Sequence, residues 1–229
     1  MNSKYSNFLT ILLILIIIAI VGIIGFLGFK YYETHISKNE AEDFVDSFNN
    51  QNENNSNNNT SVLPKDDVEV EYEGVEEGTN TNNGESSSGN KNQQKFNDFL
   101  VAGTIEIPAT KLSCPILDQS EYSPKALETS VVVIYGAGLN KVGNTTISGH
   151  NYRNGTFFSN NKRLNKGDKI YITDLDGKRL TYTIYDKFEV QENDADYMVR
   201  DTQGAIEISL STCTDDSKAR LIILARADV

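Results

Sequence analysis

Only two cysteines and two histidines occur among the 229 residues of the chain. Two cysteines exclude a disulfide-dense scaffold and a four-cysteine zinc site, and two histidines leave few ligands for another metal. We therefore expect no metal ion and no other cofactor. Lysine and arginine are also scarce, 21 against 32 aspartates and glutamates, which gives a net charge of −11. Because binding to a phosphate backbone needs clustered basic side chains, no nucleic-acid partner is expected.

The acidity is concentrated in the first part of the chain. Residues 1–95 carry 14 acidic and 6 basic residues, whereas residues 96–229 carry 18 and 15. Eight asparagines fall within residues 49–60, and residues 66–85 hold eight acidic residues and no basic one. Such composition buries too little apolar surface to offset chain entropy, so residues 30–95 are predicted to be a disordered linker. A regulatory flap that folds over the active site is the alternative interpretation.

One long apolar segment precedes this linker. Phe8 to Phe29 is 22 residues without a charge and with one polar residue, Thr10. As a helix it would measure about 33 Å, which matches a hydrocarbon core of about 30 Å. A secretory signal peptide is the competing interpretation, but its apolar part is usually shorter and ends at a small-residue cleavage site that we do not find. We predict an uncleaved membrane anchor, with residues 1–7 cytoplasmic and the C-terminal domain outside the cell.

Residues 96–229 have the pattern of a folded domain. Their apolar segments are short, rich in β-branched residues and separated by turn residues, and Asp176-Gly177 is a two-residue hairpin signal. Two short segments have a helical pattern, residues 123–128 and 157–165. About eight short strands predict an all-β fold, either a closed barrel or a sandwich. The predicted strands are residues 103–108, 112–117, 130–135, 144–148, 169–175, 180–190, 205–212 and 219–226.

Three side chains in this domain have the chemistry of nucleophilic catalysis. Cys213 directly follows one predicted strand and Arg220 opens the next, so a hairpin would place them side by side. A cation beside a thiol lowers its pKa or stabilises the oxyanion that forms after attack. His150 is the only histidine of this domain, so any cysteine–histidine chemistry must use it. On spacing alone, a small buried thiol stays an alternative for Cys213.

Several segments together resemble the sortases. Ser209-Leu-Ser-Thr-Cys213 followed by Arg220-Leu-Ile-Ile-Leu is similar to the signature strand pair of that family, and Ile147-Ser-Gly-His150-Asn is similar to its histidine segment. Gly103-Thr-Ile-Glu-Ile-Pro108 with Cys114-Pro-Ile116 resembles its first two strands. The resemblance covers residues 99–229. It implies an eight-stranded sortase-type β-barrel with short helices, here the catalytic domain of residues 96–229.

The resemblance implies a membrane-anchored cysteine transpeptidase of a Gram-positive surface. Its partners would be surface proteins with a C-terminal LPxTG-like sorting signal and a cell-wall precursor or pilin amine. Cys213 would form a thioacyl enzyme, His150 would transfer protons, and Arg220 would bind the substrate carbonyl or oxyanion. Thr212 would contact the peptide, and Asp215 would orient the arginine or the histidine. Arg226 is an alternative cation that should point away from Cys213.

The subclass of sortase stays open at this level. The histidine segment looks most like class B, yet residues 191–204 are too few for the long helical insertion of that class. The second membrane span and the lid motif typical of pilin-polymerising sortases are not found, and no calcium site of the class A type can be placed. The acidic stretch that includes Glu189 and Glu192 is interpreted as a solvated loop.

An L,D-transpeptidase and a non-catalytic module are the two alternative functions for this sequence. In an L,D-transpeptidase the histidine would lie two residues before the cysteine, whereas 63 positions separate His150 from Cys213. A non-catalytic adhesion or scaffold module would have no use for His150, Cys213 and Arg220 together. A disulfide between Cys114 and Cys213 would silence the enzyme, and a packed free thiol is the expectation for Cys114.

Overall fold

The computed structural model describes residues 3–58 and 94–229 of the chain. Helix α1 occupies Ser3–Asn58, and a second, short helix, α2, occupies Pro124–Thr129. The strands are β1 Lys95–Phe96, β2 Phe99–Ile107, β3 Leu112–Leu117, β4 Val131–Gly136, β5 Gly143–Ser148, β6 Lys169–Asp174, β7 Arg179–Gln191, β8 Ile206–Cys213 and β9 Ala219–Ala227. Three-residue 3-10 turns follow β2 and β3, and a longer 3-10 helix spans Phe157–Arg163.

Strands β2 to β9 form a closed eight-stranded barrel, which confirms the predicted all-β fold and selects the barrel over the sandwich. Their order is β2-β3-β4-β5-β8-β9-β7-β6, and β6 also pairs with β2. The pairs β3–β4 and β5–β8 are parallel, and the other neighbouring pairs of the barrel are antiparallel. Closure brings β2 very near β6: a Cβ on Gly103 would lie 2.3 Å from the Thr173 carbonyl oxygen. Glycine is therefore required at that crossing.

The interior of the barrel is filled by aliphatic side chains from every part of the closed sheet. Alternating residues of each strand point inward, as the two-residue period of a strand requires. The strand ends are consequently held in fixed positions by a packed core. Fully buried members include Ile105, Ile116, Val132, Ile147, Ile172, Ile184, Leu210 and Ile223.

Helix α1 differs from the predicted linker over residues 30–58. It continues past the apolar segment to Asn58, and its turns between Ala41 and Phe48 pack on the barrel. Ala41, Val45 and Phe48 are at most 8% exposed, and the Phe44 and Phe96 rings meet edge to face at 5.3 Å. Four apolar residues at helical spacing supply a buried stripe within a polar sequence. The remaining part of the predicted linker, residues 59–93, lies outside the described residues.

The apolar segment itself, Phe8–Phe29, is an exposed part of helix α1. It is long and apolar enough to cross a membrane, with a mean hydropathy of 3.3, and none of it is buried against the rest of the chain. The helix runs without a break from this segment to the turns that pack on the barrel.

Candidate active site

Cys213 and Arg220 are directly opposite each other at one end of the barrel. They are the last antiparallel pair of β8 and β9, and the Arg220 Nη1 donates a hydrogen bond to the Cys213 sulfur. Cys213 is partly buried and its thiol is free. The hairpin register predicted from the sequence therefore places a permanent cation on this thiol.

His150 reaches the same end of the barrel through the neighbouring strand. Strand β5 runs parallel to β8, with Ser148 opposite Ser211, so the residues that follow each strand leave the barrel together. The Gly149 amide donates to the Ser211 carbonyl at 3.1 Å, and the buried Thr212 hydroxyl donates to the Gly149 carbonyl at 2.7 Å. The Thr212 hydroxyl thus binds the histidine segment and is turned into the structure.

Asn151 joins the histidine segment to the cysteine strand. Its Nδ2 donates to the Cys213 carbonyl and to the Asp215 Oδ1, each at 3.0 Å, while its own Oδ1 accepts from the Arg153 amide at 3.2 Å. The Lys162 ammonium forms an ion pair with the same Asp215 carboxylate. We call Asn151, Asp215 and Lys162 the clasp. Every polar atom of the Asn151 side chain is used in it.

Asp215 therefore has different partners from those anticipated. The hydrogen bond from Lys162, and after it the one from Asn151, hold the pKa of the Asp215 carboxyl below its usual value. Among the described residues its side chain bonds to these two and to neither Arg220 nor His150. Its influence on the histidine segment passes through Asn151.

A loop of residues 192–205 covers the outer face of β8. Cys213 shares that face with Glu207, Ser209 and Ser211, because alternate residues of a strand point the same way. The Tyr197 hydroxyl donates to the Ser211 hydroxyl at 3.1 Å, and Tyr197 packs with Ile222 of β9 in a small second apolar cluster. The loop is thus packed on the two strands that carry the thiol and the arginine.

The loop is held at both ends by arginine–carboxylate pairs. At the thiol end, the Arg220 Nη2 donates to the Glu192 carboxylate at 2.9 Å, so one guanidinium contacts both a carboxylate and the thiol. At the other end, Glu207 is 2% exposed and accepts from Arg200 and Arg226 and from the Tyr185 hydroxyl. Arg226 points to Glu207, away from Cys213, as the sequence analysis predicts.

His150 also has an aromatic neighbour. The centroids of the His150 and Tyr152 rings are 4.8 Å apart, and the Tyr152 ring is 5.9 Å from that of Phe157. Partial burial, and after it the Glu128 carboxylate, raises the pKa of the Tyr152 phenol. Tyr152 is therefore neutral at physiological pH and presents its ring to the imidazole.

Cys114 is a structural thiol. It is 2% exposed within the core, it is free like Cys213, and burial raises its pKa to about 12. A thiol with so high a pKa has almost no thiolate at neutral pH and is inert as a nucleophile. The two cysteines therefore differ in burial and in neighbours, because only Cys213 is partly exposed and contacts an arginine.

Two contacts at this site were not anticipated from the sequence. From the sequence, Asn151 is only a member of the histidine segment, and Glu192 is predicted to lie in a solvated loop. A signal was present for Asn151, since an amide next to a candidate catalytic histidine can bridge two backbone segments. Glu192 carried none, because its pairing depends on where the 192–205 loop lies. Within residues 3–58 and 94–229, no three histidine, cysteine or acidic side chains are grouped to hold a metal ion.

Comparison with known proteins gives one family. The model of the Sortase domain matches residues 105–228. A sortase A from Bacillus anthracis is 31% identical over 126 residues, which are 54% of this chain and 58% of that protein. The structure of sortase A from Corynebacterium diphtheriae has a TM-score of 0.51 at 27% identity and covers 57% of this chain and 62% of its own. A sortase D5 transpeptidase from Clostridium perfringens has a TM-score of 0.51 at 26% identity, covering 56% and 79%.

These matches lie on the barrel. The chain spans between half and two thirds of the length of the curated relatives that it matches. The matched region contains both strands of the Cys213–Arg220 pair and the histidine segment. A family model that matches more than half of the chain, on a barrel of the same fold, assigns the chain to the sortases, a family of cysteine transpeptidases.

Proposed function

We propose that this chain is a membrane-anchored sortase that cleaves an LPxTG-like sorting signal and transfers the new carboxyl group to an amine. Cys213 attacks the threonine carbonyl carbon of the signal, a C–S bond forms and the bond to the glycine nitrogen breaks. The acyl group is then passed to the amine of a cell-wall precursor or a pilin. The contact between the Arg220 guanidinium and the Cys213 sulfur is the observation that carries this proposal.

Arg220 has two uses in such a reaction. Before attack, its Nη1 donates a hydrogen bond to the Cys213 sulfur and holds the nucleophile in place. After attack, the same guanidinium is within reach of the oxygen that becomes negatively charged, and stabilising that charge lowers the barrier. Glu192 holds the other side of the guanidinium, which fixes the direction of its donors. Arginine retains its charge at every physiological pH.

His150 is assigned the proton transfers. The imidazole would give a proton to the departing glycine amine and later accept one from the incoming amine. The clasp and the Thr212–Gly149 hydrogen bond fix the segment on which the imidazole stands. Thr212 and Asp215, assigned to substrate binding from the sequence, are thus proposed to act mainly on the position of this segment, with the Thr212 backbone left for the peptide.

We place the barrel on the outer side of a membrane. The exposed apolar segment of helix α1 supports anchoring, and the family assignment agrees with it. The division into a cytoplasmic N-terminus of residues 1–7, an anchor of residues 8–29, a connecting part of residues 30–95 and a catalytic domain of residues 96–229 is part of the proposal. The helical turns that contact the barrel replace the first part of the predicted flexible linker.

A chromatographic assay of the full chain in detergent tests the function. Peptides with LPxTG and related signals are incubated with the protein, with and without an amine. We expect a hydrolysed fragment without amine and an amide product with it. Cys213→Ala should abolish both products while it keeps peptide binding, and Cys114→Ala should keep both. Product formation that survives Cys213→Ala would contradict the proposal, and binding without any product from the wild type would favour a non-catalytic module.

A further inference from the structure

A cavity of about 600 Å³ lies beside the histidine segment. Its walls come from helix α1, the start of β3, the end of α2 and the loop that follows His150. Its lining includes Lys111 in the turn between β2 and β3, Glu128 in α2 and Tyr152 in the loop that follows His150. Cys213 does not line it, so the cavity is a second concave region next to the proposed catalytic groups.

Two charged side chains of this cavity, unlike Lys38, which pairs with Glu42, have no ion-pair partner among the described residues. Within residues 3–58 and 94–229, neither the Lys111 ammonium nor the Glu128 carboxylate takes part in a hydrogen bond or an ion pair. Both are exposed. An unpaired cation and an unpaired anion that face one cavity fit a ligand that carries both an ammonium and a carboxylate group.

The backbone around the cavity is held in an uncommon conformation. Asn97, Lys111 and Phe157 all line it with positive φ angles of 47°, 55° and 46°. Each is a non-glycine residue in the left-handed region, which costs free energy and persists where the surroundings enforce it. Strain of this kind concentrates at ligand sites, and here three such residues border one cavity.

The cavity and His150 share Tyr152. The centroids of the Tyr152 and His150 rings are 4.8 Å apart, and Tyr152 also forms a wall of the cavity. A ligand in the cavity is therefore next to the group that must accept a proton in the second half of the proposed reaction. The scissile carbonyl of the sorting signal must lie at the Cys213 sulfur, which does not line this cavity.

We propose that the cavity binds the acceptor substrate, an amine-bearing peptide with a free carboxylate. This inference rests on the proposed function and deepens it. Glu128 binds the ammonium group as it enters, Lys111 binds the carboxylate, and Tyr152 directs the amine towards His150. At the thioacyl enzyme the ammonium first releases one proton to solvent, and the resulting amine nitrogen attacks the thioester carbon. A C–N bond forms, the C–S bond breaks, the extra amine proton passes to the neutral imidazole, and the Cys213 thiolate is released beside Arg220.

Helix α1 gives this cavity a position near the membrane. Lys38 lines the cavity nine residues after Phe29, the last residue of the apolar segment. At about 1.5 Å per residue, the cavity wall is about 14 Å beyond the end of that segment along the helix axis. The cavity therefore lies close to the face of any bilayer that the apolar segment spans.

Acceptor kinetics with the full chain in detergent test the proposal, with triglycine and triglycine amide as probes. The thioacyl enzyme is formed with a sorting-signal peptide, and amide product and hydrolysis are measured together. Glu128→Gln should raise the KM of both probes about tenfold, the effect of losing a charged hydrogen bond. Lys111→Met should raise the KM of triglycine about tenfold and leave that of triglycine amide unchanged. Neither change should alter thioacyl formation or hydrolysis.

Glu40→Gln and Lys141→Met, which remove exposed charges outside the cavity, are the controls and should change no parameter. Unchanged KM values in the two cavity variants would overturn the proposal, as would a slowed thioacyl formation, which would assign the cavity to the sorting signal. Should no thioacyl enzyme form with any peptide, the proposed function fails. Whether the cavity binds the acceptor is then tested separately, by ligand-detected NMR of triglycine binding to Cys213→Ala with and without Glu128→Gln. Loss of binding in the double variant supports the site, and equal binding refutes it.

Discussion

At the scale of single residues, the Arg220 side chain links the thiol to the loop above it. One guanidinium donates to the Cys213 sulfur and to the Glu192 carboxylate, a geometry that needs two donors on a planar group. Arg220→Lys keeps the charge but cannot hold both partners in the same arrangement. We expect a loss of about 10²–10³ in the rate of thioacyl formation, the size of removing one oxyanion donor.

Stopped-flow measurement of thioacyl formation, followed by mass spectrometry of the quenched enzyme, checks the effect of Arg220→Lys. Arg179→Lys is the matched control, because Arg179 also pairs with a carboxylate, that of Glu106, but contacts no thiol. Its rate should equal that of the wild type. Equal rates in both variants would contradict the role given to the guanidinium.

The clasp makes a second prediction at this scale. Asn151→Ala removes the hydrogen bonds to the Cys213 carbonyl and to Asp215, so the histidine segment loses one of its links to β8. We expect kcat to fall about tenfold or more with the KM for the sorting signal nearly unchanged, since a misplaced catalytic group costs rate more than binding. The nearby Asn154→Ala, which removes two hydrogen bonds from Thr156 within the same loop, should leave kcat unchanged.

The measurement for the clasp is steady-state kinetics with a pH profile. A displaced imidazole changes the shape of the kcat profile, whereas a general loss of stability would not. Lys162→Met should produce a smaller change in the same direction, because it removes the second partner of Asp215. A fall in kcat for Asn154→Ala equal to that of Asn151→Ala would refute a specific role for the clasp.

At the scale of elements, the end of helix α1 is a docked part of the structure. Phe48 is 1% exposed, and the Asn49 side chain donates to the Glu106 carboxylate at 3.1 Å. Phe48→Ala removes most of the apolar contact and leaves a cavity, a change worth about 3–5 kcal/mol in a closed core. We expect these turns to detach while the barrel stays folded, because the barrel has its own continuous core.

Hydrogen exchange measured by mass spectrometry separates these two responses. In Phe48→Ala, protection of residues 41–51 should be lost and protection of β8 and β9 retained. Asp46→Ala, on the exposed side of the same helix, is the control and should keep the protection of the helix. If β8 also loses protection in Phe48→Ala, the helix is part of the cooperative unit of the barrel.

At the scale of the whole molecule, one buried carboxylate makes stability depend on pH. Burial alone would raise the pKa of Glu207, but hydrogen bonds from Tyr185 and Arg226 and the charge of Arg200 lower it below the usual value. The stabilisation that ionised Glu207 contributes is therefore complete above the pKa of a glutamate in the unfolded chain, about 4.3. It is lost as the pH falls through the lower pKa that Glu207 has in the folded chain.

Chemical denaturation at several pH values tests this contribution. Glu207→Gln should lower the free energy of unfolding at pH 7 by about 2 kcal/mol, less than for a fully buried pair because Arg226 is partly exposed. The gap between wild type and variant should narrow below about pH 4. Glu189→Gln, an exposed control, should run parallel to the wild type. A gap that stays constant down to pH 2 would contradict the assignment.

Across the molecule, the sequence predicts well what depends on local pattern. The strands follow alternation and turn signals, and the Cys213–Arg220 pair follows from hairpin geometry, so both could be derived before the structure. Helix α1 beyond residue 38 was missed because four apolar residues among polar ones look like a linker until a surface to pack on is known. The Glu192–Arg220 pair, the clasp and the cavity combine segments distant in sequence, and their proximity depends on the closed barrel.

The most direct test of Cys213 as the nucleophile is the intact mass of the full chain after incubation with a sorting-signal peptide in the absence of an amine. We expect a mass increase equal to the N-terminal fragment of the peptide cleaved after threonine. Peptide mapping should locate it on Cys213, and added amine should discharge it. No increase for any LPxTG-related peptide, or an increase located on Cys114, would contradict the assignment of Cys213 as the nucleophile of a sortase.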